Sequence, residues 1–86
     1  MALNIRKKRL KFRCWHRGSR EADLLLGTFA DLYLEDMGST DVLKLENIVD
    51  CDDQVIWDWL TGMAEVPKGI SRTMIHDLRS VLSLVT

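Results

Sequence analysis

Residues 19–35 read SREADLLLGTFADLYLE and carry the clearest helical pattern in the chain. Apolar side chains recur here at positions i, i+3, i+4, i+7 and i+11, which lie on one side of a helix. Those positions are Ala22, Leu25, Leu26, Phe29 and Tyr33. Ser19 can cap the helix with its hydroxyl, and Gly38 can close it in the left-handed conformation. We therefore predict an amphipathic helix from Arg20 to about Glu35.

Four further segments have helical patterns, and no convincing alternation of period two is present. The predicted helices cover about residues 5–16, residues 41–50, the stretch from a cap at Asp52 or Asp53 to Gly62, and residues 71–84. The positions expected to face the core are Ile5, Leu10, Phe12 and Trp15; Val42, Leu45, Ile48 and Val49; Ile56, Trp59, Leu60 and Met63; and Ile75, Leu78, Leu82 and Val85. Since most connections are short, the sequence predicts an all-α fold, a small single-domain five-helix bundle over residues 1–86.

The length and composition limit what this domain can do. A chain of 86 residues buries about 60–65% of its unfolded surface, enough for one modest core but not for a deep catalytic cleft as well. Its longest apolar runs fall far short of the roughly 20 residues that span a bilayer, so we expect no membrane segment. The two cysteines, Cys14 and Cys51, come without a signal peptide and suggest a reducing compartment rather than a disulfide scaffold.

The charge of the chain is strongly polarised along its length. The net charge is −1, but residues 1–20 hold eight basic and no acidic residues. Residues 21–86 hold four basic residues and all thirteen acidic ones. A basic N-terminal segment can bind an acidic protein surface, nucleic acid or a membrane, or it can be a solvated tail or a targeting signal. Because it runs straight into Phe12 and Trp15 with no obvious processing site, we interpret it as part of the mature protein, with residues 1–8 as a flexible basic tail.

Catalytic and metal-binding constellations are largely absent from the sequence. The histidines His16 and His76 are sixty residues apart, and no cysteine–histidine pair has the spacing of a zinc site. Cys14 and Cys51 fit buried structural thiols better than nucleophiles. No glycine-rich phosphate-binding loop is present either. We therefore expect no catalytic residue, no metal ion and no enzymatic activity.

Two other features are open to more than one interpretation from the residues alone. Asp52 and Asp53 stand where a helix should begin, so capping is favoured over a functional role. Trp57 lies about 200° around an ideal helix from Trp59, which belongs to the apolar stripe. Trp57 is therefore either a partly exposed anchor for a partner or packed against the first helix or the basic tail.

Residues 13–21 read RCWHRGSRE and lie at a predicted helix junction. They include basic side chains, an aromatic ring, an imidazole and a glycine. Arg17 and Glu21 are four residues apart and could form an exposed intrahelical ion pair. Alternatively, the stretch is a docking patch, in which Arg17 binds a partner carboxylate through its planar fork and Gly18 admits a second backbone. The chemistry alone weighs these two interpretations evenly.

The same stretch, extended to residues 12–26, resembles the Arg-Gly-x-x-Glu signature of the SdhE-like succinate dehydrogenase assembly factors. Residues 50–60 are similar to the Cys-Asp-Asp…Asp-Trp-Leu segment of that family. The resemblance covers about residues 9–82, nearly the whole domain, and the order of the two motifs makes it specific. Two departures are Ser19, where many relatives have methionine, and Gln54, where proline is common.

The resemblance implies an assembly chaperone rather than an enzyme. Such a protein binds the flavoprotein subunit of succinate dehydrogenase or fumarate reductase, which attaches FAD covalently to one of its own histidines. The residues implied on the flavoprotein-binding surface are Arg17, Gly18 and Glu21, and we expect Arg13, His16 and Arg20 around them. FAD then belongs to the partner, and no cofactor is expected to be bound stably by this chain.

We expect a monomer or weak dimer, in the cytoplasm of a bacterium or in the mitochondrial matrix of a eukaryote. The main alternative is a nucleic-acid-binding helical module that uses the basic N-terminus. The acidic character of residues 21–86 and the lack of a well-placed recognition helix argue against it. The second alternative is an unrelated regulatory protein that acts through a helix face.

Overall fold

Five α-helices make up the computed structural model, which describes residues 2–85. Helix α1 covers Ala2–Trp15, α2 Arg20–Tyr33, α3 Ser39–Val49, α4 Asp53–Thr61 and α5 Arg72–Val85, and a short 3-10 turn, Leu34–Asp36, follows α2. No strand occurs in the described residues. The predicted all-α fold with five helices is confirmed.

Helix α2 lies at the centre of the bundle and packs against both α1 and α5. It starts as predicted, because Ser19 Oγ accepts a hydrogen bond of 3.2 Å from the amide of Ala22. The acidic Glu21 and Asp23 lie in the first turn, where the helix dipole is positive. The predicted stripe is buried apart from its last member, Tyr33, which ends the helix and stays 44% exposed. Each fully buried leucine of the stripe contributes about 1.5–3 kcal/mol to folding.

Helix α1 includes residues 2–8, where the sequence predicts a flexible basic tail. Two basic side chains hold this part of the helix on its neighbours. Arg6 donates to Glu46 of α3 at 2.6 Å, and Lys7 donates to the carbonyl oxygen of Glu35 at 2.7 Å. The basic segment is therefore drawn onto the acidic body of the molecule by charge-assisted hydrogen bonds. The first residue of the predicted tail lies outside the described range.

The buried face of α1 differs from the predicted one. Leu10 and Cys14 are fully buried, whereas Ile5 and Phe12 are 52% and 63% exposed. Leu10 and Cys14 lie one turn apart on the same side of the helix, and Ile5 and Phe12 lie about 140–200° around the axis from Leu10. Because α1 packs against α2 and α3 with one face only, the two apolar residues on its other face remain in contact with solvent.

Helices α3 and α4 bury the faces that their spacing predicts, with one exception. Met63 is 80% exposed, because α4 ends at Thr61 and Gly62 turns the chain with a left-handed φ of 78°. Gly38, by contrast, does not close α2 as predicted. Its φ is −83° and it is the N-cap of α3, since the 3-10 turn has already ended α2. Trp57 is partly buried and packs against the core.

Helix α5 completes the core by packing on α2 and α4. Ile75 and Leu78 are buried as predicted, and Val81 is buried in addition. Leu82 and Val85 pack against the core but remain only partly buried. The last turn of α5 therefore lies at the edge of the core rather than inside it.

Arg79 of α5 caps the end of α4. Its Nε donates to the carbonyl oxygen of Leu60 at 3.1 Å, and its Nη2 donates to that of Trp59 at 2.8 Å. The last carbonyl groups of a helix have no partner within the helix, and a cation there also faces the negative end of the helix dipole. This contact joins the two helices beyond their apolar packing.

Candidate docking site at the junction of α1 and α2

The six residues predicted for the docking surface lie on one connection, from the last turn of α1 to the first turn of α2. They are Arg13, His16, Arg17, Gly18, Arg20 and Glu21. Gly18 has a φ of 100°, in the left-handed region where a side chain would be strained. A Cβ atom at Gly18 would meet nothing within 4 Å, so the space above this backbone is open.

Arg17 points into the molecule, and its side chain is only 11% exposed. Its Nε donates to Oδ1 of Asp53 at 2.9 Å, and its Nη2 donates to the carbonyl oxygen of Cys51 at 2.6 Å. Its Nη1 donates to the carbonyl oxygen of Val49. We call these four residues (Arg17, Val49, Cys51 and Asp53) the Arg17 clasp. The clasp ties the α1–α2 connection to the end of α3 and the start of α4.

The Arg17 clasp corrects two expectations from the sequence. Arg17 pairs with Asp53 instead of Glu21, because Arg17 lies between the helices and the four-residue spacing has no helical geometry there. Asp52 occupies the N-cap position of α4 without a side-chain capping bond, and the carboxylate of Asp53 binds Arg17. The two segments that carry the family resemblance therefore contact each other through this ion pair.

The backbone of the connection is also held from α2. The amide of Arg17 donates to Oδ1 of Asp23, and the amide of Asp23 donates to the carbonyl oxygen of Ser19 at 2.9 Å. Arg17 is therefore fixed twice, through its side chain to α3 and α4 and through its amide to α2. Gly18 follows directly on this fixed residue.

The remaining residues of the connection face solvent. Arg20 and Glu21 are exposed, and neither forms an ion pair with any residue in the range 2–85. His16 is exposed too, and its ring stacks on Phe12 with centroids 3.9 Å apart. Nδ1 of His16 lies 2.7 Å from the carbonyl oxygen of Phe12. Because that oxygen only accepts, Nδ1 carries the proton.

A shallow groove of about 560 Å³ opens beside Gly18. It is lined by Trp15, Gly18, Ser19, Arg20, Asp23 and Leu24. The indole of Trp15 lies against Gly27 of α2, and its Nε1 donates to Asp31 at 3.3 Å. Trp15 lies in the 13–21 stretch but is expected to face the core, and Gly27 is not predicted to belong to the site. A glycine inside an otherwise helical pattern is the one signal that could have indicated this close contact.

Much of the basic charge of the N-terminal segment is paired within the molecule. Ion pairs join Arg6 to Glu46, Lys11 to Asp31, Arg13 to Asp50 and Arg17 to Asp53. Lys8, Arg9 and Arg20 make no ion pair with any other described residue. The basic N-terminal helix thus packs on the acidic remainder of the molecule. Fewer of its positive charges are therefore available to bind phosphate groups than the sequence alone indicates.

The two thiols near the junction are buried or partly buried. Cys14 is fully buried, and burial raises the pKa of its thiol to about 12, against the opposing effect of the Arg17 and Arg13 charges. Burial also raises the pKa of the partly buried Cys51 thiol, which donates to the carbonyl oxygen of Asn47.

Within residues 2–85, no group of three His, Cys, Asp or Glu side chains is placed to hold a metal ion. None of the helices described has the length and apolar character needed to cross a bilayer.

Comparison with known proteins bears on these two linked segments. The sequence profile of the family described as flavinator of succinate dehydrogenase matches residues 8–82. The chain belongs to this family. The matched range contains both the Arg17–Glu21 stretch and residues 50–60, which the Arg17 clasp brings into contact. The resemblance identified from the sequence is therefore confirmed.

Relatives of this flavinator family occur in bacteria and in mitochondria. The chain is 36% identical over 81 residues to the FAD assembly factor SdhE of Acetobacter pasteurianus, an alignment that covers 90% of the chain and 74% of that protein. It is 37% identical over 68 residues to the mitochondrial succinate dehydrogenase assembly factor 2-B of Drosophila mojavensis. It is 30% identical over 63 residues to the mitochondrial succinate dehydrogenase assembly factor 2 of Arabidopsis thaliana. These relatives are named as assembly factors and not as enzymes.

The share of each relative that is matched differs between the bacterial and mitochondrial proteins. The alignments cover 77% of the chain for the Drosophila protein and 73% for the Arabidopsis protein. They cover only 43% and 34% of those relatives themselves. The chain therefore spans less than half the length of these two mitochondrial assembly factors.

Proposed function

We propose that this protein is an assembly chaperone that binds the flavoprotein subunit of succinate dehydrogenase and promotes the covalent attachment of FAD to it. Membership of the flavinator family supports the general role. The observation that supports specific residues for docking is the connection that exposes Gly18, Arg20 and Glu21 and is held in place by Arg17. The flavoprotein of fumarate reductase is a second proposed client.

The proposed docking surface consists of Arg13, His16, Arg17, Gly18, Arg20 and Glu21. Glu21 offers an exposed carboxylate that forms no ion pair with the other described residues, which suits a basic group of the flavoprotein. Gly18 has open space above it, so that the backbone of a partner can approach closely. Arg20 and His16 add exposed polar groups around these two. Arg17 lies at the inner edge of the surface and supports it.

The proposed mechanism requires no catalytic group from this chain. Covalent attachment needs a histidine of the flavoprotein and the flavin ring to be held in line, and positioning alone lowers such a barrier by several kcal/mol. The chaperone binds more tightly to the flavoprotein conformation in which these groups are aligned. It shifts the population of that conformation by no more than its difference in affinity for the two states.

FAD remains with the flavoprotein throughout the proposed reaction. This chain binds no cofactor stably and acts as a monomer or weak dimer. The proposed compartment is the bacterial cytoplasm or the mitochondrial matrix, in keeping with the bacterial and mitochondrial relatives.

The test is covalent flavin on a co-expressed flavoprotein, measured by in-gel flavin fluorescence with wild type and variants of this chain. Glu21→Ala removes the exposed carboxylate, and Gly18→Arg fills the open space above the connection. We expect each to lower flavinylation by about tenfold or more, as substitutions at the centre of an interface do. Co-purification of the flavoprotein with each variant reports binding separately from attachment.

Matched controls separate docking from folding. Glu65→Ala removes an exposed carboxylate from the connection between α4 and α5. Gly62→Arg places the same side chain on another exposed glycine with a positive φ and open surroundings. Both controls are expected to support wild-type flavinylation. Wild-type flavinylation with folded Glu21→Ala and Gly18→Arg variants would overturn the proposal.

A further inference from the structure

The Arg17 clasp joins three parts of the chain that are far apart in sequence. Arg17 and Asp53 are 36 residues apart, and their side chains meet at 2.9 Å. The carbonyl oxygens of Val49 and Cys51 accept the other two guanidinium contacts. Nε, Nη1 and Nη2 of Arg17 therefore all donate inside the molecule. Because three of its five N–H groups are used in this way and its side chain is only 11% exposed, the guanidinium is poorly placed to bind a partner carboxylate as a fork.

We propose that Asp53 is a positioning residue of the docking surface, which acts on the flavoprotein through Arg17. By holding the Arg17 side chain inward, Asp53 keeps the α1–α2 connection in the conformation that presents Gly18 and Glu21. The inference rests on the proposed function for the identity of the partner. The Arg17 clasp consists of contacts within this chain, so it does not depend on the proposed function.

Burial and charge explain why Asp53 is the decisive member of the clasp. The Arg17 side chain is 11% exposed and that of Asp53 is 28% exposed, so the pair is largely removed from water. Without the carboxylate, the Arg17 cation would lie beside two carbonyl oxygens and would have no ion-pair partner among residues 2–85. A buried charge that loses its partner is strongly unfavourable. Arg17 would then turn outward to recover its hydration.

Movement of Arg17 would directly change the conformation of the docking surface. Gly18 follows Arg17 in the chain and has a φ of 100°, which depends on where the preceding residue is held. The amide of Arg17 also donates to Asp23, in the same helical turn as Glu21. Release of the side chain therefore leaves Arg17 tied to α2 through that amide contact, and Gly18 follows directly on this residue.

Trypsin gives a readout of the clasp that needs no partner protein. Trypsin requires an accessible arginine side chain, so cleavage between Arg17 and Gly18 reports whether Arg17 has left the clasp. We expect Asp53→Ala to accelerate this cleavage by about tenfold or more, measured by mass spectrometry as the fragment that begins at Gly18. Asp53→Asn keeps a hydrogen-bond acceptor and should give an intermediate rate. It also provides the test if Asp53→Ala fails to fold.

Glu46→Ala is the matched control. Glu46 also pairs with an arginine, Arg6 of α1, and is 25% exposed, but neither residue belongs to the proposed docking surface. Its loss should leave the cleavage rate at Arg17 unchanged. Far-UV circular dichroism of all variants at the same temperature shows that cleavage does not result from global unfolding.

The affinity of each folded variant for purified flavoprotein, measured by calorimetry, completes the experiment. We expect Asp53→Ala to weaken binding by about tenfold, Asp53→Asn to weaken it less, and Glu46→Ala to bind nearly as wild type. Released Arg17 with wild-type affinity would overturn the positioning role, and so would wild-type protection of Arg17 in both Asp53 variants. If the wild type itself fails to bind while Asp53→Ala still releases Arg17, the proposed function fails and the clasp stands.

Discussion

The indole ring of Trp15 lies against the α-carbon of Gly27, in the space that any side chain at that position would occupy. The contact lets the end of α1 approach the middle of α2 closely. Trp15 also forms a wall of the groove beside Gly18, and its Nε1 donates to Asp31 of α2. The position of the tryptophan therefore links the packing of two helices to the shape of the candidate docking surface.

We expect Gly27→Ala to destabilise the protein by about 1–2 kcal/mol. Forcing a methyl group into the space held by Trp15 costs about 1–3 kcal/mol of overpacking, which the better helix propensity of alanine offsets by about 0.5–1 kcal/mol. Urea denaturation gives the free energy of unfolding. Gly38→Ala is the control, because a Cβ atom there meets nothing within 4 Å. Equal stability of Gly27→Ala and wild type would show that Trp15 moves aside without cost.

We expect Arg79→Ala to lower the free energy of unfolding by about 1–2 kcal/mol, because two carbonyl oxygens at the end of α4 lose a charged donor. Thermal unfolding followed by circular dichroism measures the effect. Arg72→Ala removes the same charge from an exposed position of α5 and should change stability by less than about 0.5 kcal/mol. Identical melting temperatures for the two variants would contradict the capping role of Arg79.

We expect the stability of the fold to decrease as the pH rises from about 9 towards 12. Burial raises the pKa of the Cys14 thiol from 9.0 to about 12, so in this window the folded state keeps a proton that the unfolded state loses. A group that binds more protons when folded stabilises the fold at low pH and loses that contribution as the pH rises, by up to about 1.4 kcal/mol per pH unit. Denaturation of wild type and Cys14→Ala at several pH values gives both slopes. The variant should be less stable at neutral pH but lose stability less steeply above pH 9, and parallel curves would refute the assignment to Cys14.

We expect the two thiols to differ in alkylation. Cys14 is fully buried, whereas Cys51 is partly exposed. Iodoacetamide at about pH 8 should therefore modify Cys51 slowly and Cys14 hardly at all, since the thiolate is the reactive form and access limits the rate. Peptide mass spectrometry of wild type and Cys51→Ser measures this. Rapid modification of Cys14 in the folded Cys51→Ser variant would show that the core opens more readily than its packing indicates.

We expect only weak binding to nucleic acid, because four of the eight basic side chains in residues 1–20 form ion pairs within the molecule. A gel shift with double-stranded DNA at about 20 mM salt, where phosphate contacts are strongest, measures it. The double variant Lys8→Glu, Arg9→Glu reverses the charge of two basic side chains that form no ion pair with other described residues. Tight binding that this variant abolishes would support the nucleic-acid alternative instead.

The helices are the part of the fold that the sequence predicts well. In α2, the spacing from Ala22 to Phe29 and the cap at Ser19 are local features, because each involves residues within a few turns of one another. The ends and faces are predicted less well. Phe12 shares a face of α1 with Ile5, and Met63 fits the stripe of α4 by spacing. Both are exposed, because no helix in residues 2–85 covers that face of α1 and because α4 ends before Met63.

The candidate site was predicted as a stretch of sequence, and the grouping of its residues on one connection follows from their nearness in the chain. The orientation of Arg17 did not follow, because its partners lie 32 to 36 residues away. Spacing alone favoured Glu21, which is four residues along the chain. Because the connection is not helical, that rule does not apply to it.

The sequence by itself determined that this protein is a small helical bundle of the flavinator family, since helical periodicity and the two motifs are written in neighbouring residues. Only the tertiary structure decided that Arg17 binds Asp53, that Trp15 lies on Gly27, and that one face of α1 stays in solvent. These contacts depend on how the helices cross. Helix crossing is set by the packing of all side chains together, so no local pattern in the chain encodes it.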